Sequence, residues 1–230
     1  MTRDAPILLL TRPEAAARDF LRSLPENVAA RFNVLVSPLF DYAPVPHAPV
    51  DPGADVILTS AAAVPYAGPG RGRTAWCVGD RTTSAAQEAG FEARNARGNA
   101  EDLVTLILHE RPLGPLVHLR GEDSRGHIRD RLLAAGLSCE ERVVYAKVPK
   151  TLTRQARGAL MGNTTVVLPL FSPETARLLY GQGPFAARLI VLAMSGAVAE
   201  AAGPLHAARV EVADTPNLAG MVGRVATLDA

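Results

Sequence analysis

The chain has 230 residues, 24 Lys and Arg against 23 Asp and Glu, a net charge of +1, and an apolar fraction of 48%. That apolar content is enough to bury a core and excludes a disordered chain, while the charge balance excludes a general nucleic-acid binder, which carries a basic excess. At about 100–200 residues per domain, the length fits one large domain or two small ones.

A short apolar run, a Ser/Thr/Gly/Pro turn and a helical pattern recur along the chain. Ile7–Leu10 leads through Thr11 and Pro13 into a helix over Ala15–Leu24, with Thr11 and Glu14 spaced as a T-x-x-E capping box. Asp55–Leu58 leads into Thr59-Ser60-Ala61, and Ala75–Val78 into Gly79 and a helix ending near Gly90. Leu116–Leu119 leads into Arg120-Gly121-Glu122 and a helix ending at Gly136. Thr165–Leu170 leads into Phe171 and Ser172, which caps a helix through Leu179; Leu189–Ala193 leads into Met194-Ser195-Gly196. Strand, turn and helix at this spacing predict an α/β fold with parallel sheets covered by helices.

Two segments, Leu35–Val45 and Glu141–Pro149, are extended and lead into no helix; proline-dense Pro44–Pro52 reads as a loop. An internal repeat explains the breaks. Ser60 and Ser172 occupy similar segments 112 residues apart, and similar pairs recur at nearly the same offset. The segment Val117–Gly136, however, resembles Ile7–Leu24 at the other end of the chain. The simplest topology makes one domain from both termini (1–36 plus 150–230) and inserts the other (45–140) as a block, with 37–44 and 141–149 as the crossings between them.

Cys77 and Cys139 form no C-x-x-C pair and read as buried apolar residues in a reducing compartment. The apolar run at Ile7–Leu10 is too short for a secretion signal, and no stretch nears the roughly 18 apolar residues of a membrane span. The expectation is a soluble, cytoplasmic protein with no membrane and no nucleic-acid partner. The five histidines have no metal-ligand spacing, no P-loop or dinucleotide fingerprint is present, and neither Ser60 nor Ser172 sits in G-x-S-x-G. What remains is the set of turns beyond the carboxyl ends of the predicted strands, where open α/β sheets place ligands. Several begin helices, whose free N–H groups and positive dipole ends suit a carboxylate or phosphate. Arg12, Arg71, Arg73, Arg81, Arg120 and Arg125 are expected on or near that edge, and Tyr145 on a crossing from which its phenol can reach a cleft between the domains.

The ordered set I-L-L-L-T-R-P (Ile7–Pro13), V-I-L-T-S-A-A-A-V (Val56–Val64), C-V-G-D-R-T-T-S-A-A (Cys77–Ala86), Val117–Gly136, R-V-V-Y-A (Arg142–Ala146), V-L-P-L-F-S-P-E-T-A (Val167–Ala176) and Ala213–Leu218 resembles the uroporphyrinogen-III synthase family. The resemblance implies two Rossmann-like parallel-sheet domains joined by a two-stranded β ladder, the first built from both termini. It also implies a cofactor-free lyase without metal, acting on a linear tetrapyrrole polycarboxylate. Such an enzyme cyclises hydroxymethylbilane to uroporphyrinogen III while inverting ring D, as a monomer with a transient hand-over from hydroxymethylbilane synthase.

On this resemblance Tyr145 matches the family's tyrosine in V-Y and becomes the general acid. The implied substrate-binding residues are Arg12, Thr59, Ser60, Ala61, Gly79, Thr82, Arg120, Gly121, Ser172, Ser195 and Gly196. Three departures stand out. Ala61-Ala62-Ala63 fills a turn where the family usually carries a polar residue, and Ala193–Ala199 lacks a threonine. Only Pro65–Ala75 separates Val64 from Trp76, too short for a helix after Ser60 plus a return loop. These features keep a second reading open, a catalytically degenerate homologue that binds a tetrapyrrole or other polyanion in an interdomain cleft.

Overall fold

The computed structural model describes residues 5–123 and 126–229. In chain order the elements are β1 (Ile7–Leu10), α1 (Glu14–Ser23), α2 (Glu26–Ala29), β2 (Asn33–Val36), β3 (Phe40–Pro44), β4 (Asp55–Leu58), a 3₁₀ turn (Ala61–Tyr66), β5 (Thr74–Cys77), α3 (Asp80–Glu88) and β6 (Glu92–Asn95). They continue with α4 (Ala100–Glu110), β7 (Leu116–Gly121), α5 (Ile128–Ala134), β8 (Cys139–Pro149), α6 (Arg154–Met161) and β9 (Val166–Leu170). The last are α7 (Pro173–Tyr180), β10 (Leu189–Ala193), α8 (Gly196–Ala202), a 3₁₀ turn (Gly203–Leu205), β11 (Arg209–Val212) and α9 (Leu218–Ala226). The chain divides into two compact units, one formed by the segment up to Asp41 together with that from Pro149 onward, the other by Tyr42–Val148.

The first unit is built on a five-stranded sheet in the order β11-β10-β9-β1-β2, with every pairing parallel. Its central strands are apolar throughout because both faces are covered. Leu8, Leu10, Val167, Ile190 and Leu192 pack on one face with Phe20 of α1 and Met221 and Val225 of α9. Leu9, Leu168, Leu170, Val191 and Ala193 face the other way, against Leu160 of α6, Leu179 of α7 and Val198 of α8.

The second unit carries a six-stranded sheet in the order β3-β8-β7-β4-β5-β6, parallel from β8 to β6. Val56, Leu58, Ala75, Cys77, Val117 and Leu119 form one face with Ala63 and Val64 of the 3₁₀ turn and Ala86 of α3. Ile57, Trp76 and Leu116 form the other with Leu103 and Ile107 of α4 and Leu132 of α5. The five parallel strands β8-β7-β4-β5-β6 follow the same spatial order as β2-β1-β9-β10-β11. The repeat is therefore permuted: the pair β1–β2 opens the chain, and its counterpart β7–β8 closes the second unit.

Three local expectations change. Thr11 does not cap α1: Pro13 takes the N-cap position and Glu14 is the first helical residue, its carboxylate pairing with Arg18. Thr11 lies wholly buried two residues upstream, with its carbonyl accepting from Leu39 N. Leu35–Val45 is not one extended segment. Val36 ends the ladder with Leu10, Pro38 has no N–H to extend it, and β3 belongs to the other sheet. Arg71 and Arg73 precede β5 and so sit at its amino end, away from the turns that follow the strands. Arg73 donates to the carbonyls of Asp51, Ala54, Ala67 and Pro69, and burial lowers its pKa, so it staples loops together.

The short Pro65–Ala75 segment is accommodated by replacing a helix with one 3₁₀ stretch and a tight return. Gly70 makes the return possible, since a Cβ there would lie 2.2 Å from the Gly90 carbonyl carbon. Among the described residues no helix is long and apolar enough to cross a membrane.

Asn99 caps α4 with a reciprocal pair: Glu101 N donates to Asn99 Oδ1 at 2.7 Å and Asn99 N to Asp102 Oδ2 at 2.8 Å. Asn99→Ala is expected to lower unfolding free energy by about 1 kcal/mol, read as an earlier urea midpoint.

Candidate functional site

Each sheet places its turns at the carboxyl ends of its parallel strands. In the first unit these are the turns after β1, β9 and β10. The Arg12 guanidinium lies 3.8 Å from the centre of the Phe171 ring, which itself meets Phe20 edge-on at 5.2 Å. A cation over an aromatic face is held without losing its charge. Ser172 uses its hydroxyl on the helix, accepting from Thr175 N at 3.1 Å and meeting Thr175 Oγ1 at 2.9 Å. Ser195 is the extended N-cap of α8 and makes no side-chain cap bond, and Gly196 after it is exposed.

In the second unit the corresponding turns follow β4, β5 and β7. Ser60 accepts from Ala62 N at 3.2 Å, which starts the 3₁₀ turn, with Ala61 half-buried as its first residue. Gly79 is the extended N-cap of α3 and offers no side chain, so the first-turn N–H groups stand open. Thr82 is buried in that first turn, and its hydroxyl has no hydrogen-bond partner among the described residues.

Along β7 and β8 two features lie on opposite faces. On one, His118 is buried with Nε2 3.5 Å from Thr59 Oγ1 and Nδ1 3.4 Å from Glu141 Oε2. The second distance is too long for a good hydrogen bond, and Nδ1 has no closer partner among the described residues. Burial pushes the imidazole pKa down to about 4 despite the nearby carboxylate, so the ring is neutral at pH 7. Glu141 binds Arg120 with Oε1 to Nη2 at 2.8 Å. Burial alone would raise its carboxyl pKa, but the Arg120 hydrogen bond and charge, with His118, outweigh that and hold it below the ordinary range. Arg120 Nη1 donates to the carbonyls of Gly121 and Glu122, so this guanidinium is committed to protein partners.

On the other face is Tyr145. The ladder from β7 to β8 slips after Arg120, which pairs with Val143, so that Gly121 pairs with Tyr145 and one extra residue, Val144, sits on β8. A bulge of this kind re-aims the side chain that follows it. It brings Tyr145 down on Gly121, where a Cβ would lie 2.5 Å from Tyr145 Cε2; only glycine leaves room for the ring. Tyr42 meets the ring edge-on at 5.0 Å, and Tyr66 lies nearly parallel to it at 6.3 Å and 22°. The Tyr145 hydroxyl has no hydrogen-bond partner among the described residues.

The sequence matches the family model described as uroporphyrinogen-III synthase HemD over residues 28–223. The chain belongs to the uroporphyrinogen-III synthase family. Among solved structures it is similar to uroporphyrinogen-III synthetase from Helicobacter pylori 26695, with a TM-score of 0.64 and 16% identity over 97% of this chain and 99% of that one. A mutant uroporphyrinogen III synthase from the extremely thermophilic bacterium Thermus thermophilus aligns at a TM-score of 0.45 and 14% identity, covering 96% of this chain and 97% of that one. No curated protein matches the sequence.

Within this uroporphyrinogen-III synthase homologue the sequence-derived residues therefore fall into separate groups. Arg12, Ser172, Ser195 and Gly196 lie on the first unit's carboxyl edge. Thr59, Ser60, Ala61, Gly79, Thr82, Arg120, Gly121 and Tyr145 lie on the second's. Arg125 lies outside the described residues. Tyr42, Tyr66, His118 and Glu141 belong beside these residues but share no spacing that a linear reading would register. Cys77 and Cys139 are free and buried, and burial pushes both thiols up to about 11, so neither is a nucleophile at neutral pH. Among the described residues no cluster of three or more His, Cys, Asp or Glu side chains could hold a metal ion.

Two outcomes follow. Gly121→Ala should cost about 1–3 kcal/mol by forcing the Tyr145 ring from its place, measured by thermal unfolding. Because the native imidazole of His118 titrates near 4 against an ordinary 6.5, the unfolded chain binds that proton first on acidification. Stability is then full above pH 6.5 and falls by about 3 kcal/mol as pH drops towards 4. Glu141, held low, adds loss in the same direction as pH falls through the carboxylate range. Urea unfolding at pH 7 and pH 4.5 measures the drop, which His118→Gln should reduce.

Proposed function

We propose that this protein is an active uroporphyrinogen-III synthase, converting hydroxymethylbilane to uroporphyrinogen III with loss of water and inversion of ring D. The observation that carries the reading is the Tyr145 phenol, seated by a bulge against Gly121 at the carboxyl end of β7 with its hydroxyl unengaged by any described group. Family membership and the shared fold support it.

In this reading Tyr145 donates its proton to the departing hydroxyl as the substrate's C–O bond breaks. Water leaves, and a delocalised azafulvenium cation and a phenolate remain. For ring D to invert, the cationic methylene first bonds the substituted α carbon of ring D. The bond from that carbon to its original methylene bridge then breaks, the released methylene bonds the free α carbon, and the proton lost from that carbon returns to the phenolate. No cofactor or metal is required by this balance. Most of the rate comes from folding the chain so that its ends meet and from stabilising the cation.

The substrate carboxylates are taken by donors that need no large net positive charge. These are the amides opening α3 after Gly79, the Thr82 hydroxyl and the turn Thr59-Ser60-Ala61 in the second unit. In the first they are Arg12 and the turns at Ser172 and at Ser195 and Gly196. Arg120 and Gly121 contribute by shaping the end of β7. The reading extends to a cytoplasmic monomer that receives its labile substrate from hydroxymethylbilane synthase.

The Ala61–Ala63 turn and the engagement of Arg120 with Glu141 favour a second reading, a homologue that binds a linear tetrapyrrole or another polyanion without turning it over. A coupled assay separates the two. Purified protein receives freshly generated hydroxymethylbilane, and the oxidised products are resolved into uroporphyrin I and III. Type III product above the no-enzyme control supports catalysis; type I alone, with folded protein, supports the binding reading. Tyr145→Phe should lower turnover about 10²-fold, the size of a general-acid contribution, with the unfolding midpoint little changed. Unchanged turnover would remove Tyr145 from the chemistry.

A further inference from the structure

Tyr66 is assigned by no motif. It ends the 3₁₀ turn whose Ala63 and Val64 are buried in the second unit's core and whose first bond is the Ser60 cap on Ala62. A 3₁₀ stretch rises about 2.0 Å per residue against about 1.5 Å for an α-helix, so six residues reach about 3 Å further. The extra reach carries Tyr66 to Tyr145.

Three elements then bound the Tyr145 ring. Gly121 on β7 lies against its edge, Tyr42 on β3 meets it edge-on at 5.0 Å and 76°, and Tyr66 lies nearly parallel at 6.3 Å and 22°. His47 backs Tyr66 edge-on at 6.3 Å. The chain has only four tyrosines, and three of them are in this cluster. A strand side chain ordinarily has two open χ1 settings. Here the close glycine and the two rings leave the phenol little room to leave the setting it has.

We propose that Tyr66 is a positioning residue for the cyclisation, closing with Tyr42 and Gly121 a seat that holds the Tyr145 hydroxyl in one orientation. This rests on the assignment of Tyr145 as the proton donor. The role belongs to the ring of Tyr66 and not to its hydroxyl. It also gives the alanine-rich turn a purpose, because small residues at 61–63 let the turn pack closely enough to deliver Tyr66.

The test uses the full chain with Tyr66→Ala and Tyr66→Phe, and two independent readouts. In the isomer assay, Tyr66→Ala should lower kcat at least tenfold with KM within about twofold, since a misplacement of about 1 Å can cost about 10²-fold. Tyr66→Phe should restore most of the loss. Wild-type kcat in Tyr66→Ala, or an equal loss in Tyr66→Phe, overturns the proposal. The second readout is ¹³C-tyrosine NMR, with the Tyr145 signals assigned by their loss in Tyr145→Phe. Slow ring flipping in the wild type and in Tyr66→Phe, and fast flipping in Tyr66→Ala, supports the seat; identical line shapes overturn it. Should the wild type give no type III product, the functional reading fails and the NMR readout alone decides the seat. Should Tyr66→Ala not fold, Tyr66→Leu, apolar and ringless, takes its place in both measurements.

Discussion

A parallel sheet covered on both faces leaves almost no place for polar chemistry except the carboxyl ends of its strands. Leu8, Leu9 and Leu10, and likewise Leu189–Ala193, are buried on alternate faces against helices, so neither strand can carry a polar side chain at low cost. The strand ends are different. There the chain turns into a helix whose first N–H groups have no partner within the helix, and the same geometry recurs after β4, β5, β9 and β10. The donors of the proposed site are thus a by-product of how the two sheets are covered. They offer hydrogen bonds to an anionic ligand at a net charge of only +1.

The strand β7 shows how little sequence separates a structural role from a chemical one. His118 and Arg120 lie on one face with Glu141, while Gly121, displaced by the slip in the ladder, meets Tyr145 on the other. On the first face the charges satisfy one another: Arg120 holds Glu141 ionised, and burial keeps His118 neutral. That group is costly to disturb, since removing one partner leaves another charge half-buried and unpaired. On the second face the phenol is confined by rings and by the absence of a Cβ.

Much of the fold is legible in the sequence because its signals are local. The apolar runs at Ile7–Leu10 and Leu189–Ala193 are strands, Ser172 caps α7, and the 112-residue offset between Ser60 and Ser172 marks equivalent turns in two sheets of the same strand order. Where one local signal competes with another, the linear reading fails. The T-x-x-E pattern at Thr11 is overridden by Pro13, whose fixed φ suits the N-cap, so that α1 opens at Glu14, one residue before the expected Ala15. Asn99 and Asp102 carry a capping-box pattern that marks the start of α4, a helix absent from the expected elements although its signal is present. Composition groups the basic residues together, whereas the direction of β5 decides which edge Arg73 serves. His118 and Glu141 meet only through the pairing of β7 with β8, and that register cannot be read from either strand alone.

The aromatic seat is the clearest case of information held in tertiary structure. Tyr42, Tyr66 and Tyr145 are separated by tens of residues and come from a strand, a 3₁₀ turn and a second strand. What joins them is a chain of small constraints. Pro65 and the tight return at Gly70 forbid a full helix after Ser60, so the segment forms a 3₁₀ turn; Ala63 lets that turn sink into the core; and the extra residue at Val144 points Tyr145 towards it. Two of these depart from the family pattern when it is taken residue by residue: a segment too short for a helix and a polar turn turned to alanine. In space they meet in one aromatic cluster. Where a helix would follow β4, the 3₁₀ turn stands instead and supplies a tyrosine face beside Tyr145. The cluster, not the individual turn, is therefore the unit that fixes where the Tyr145 ring sits.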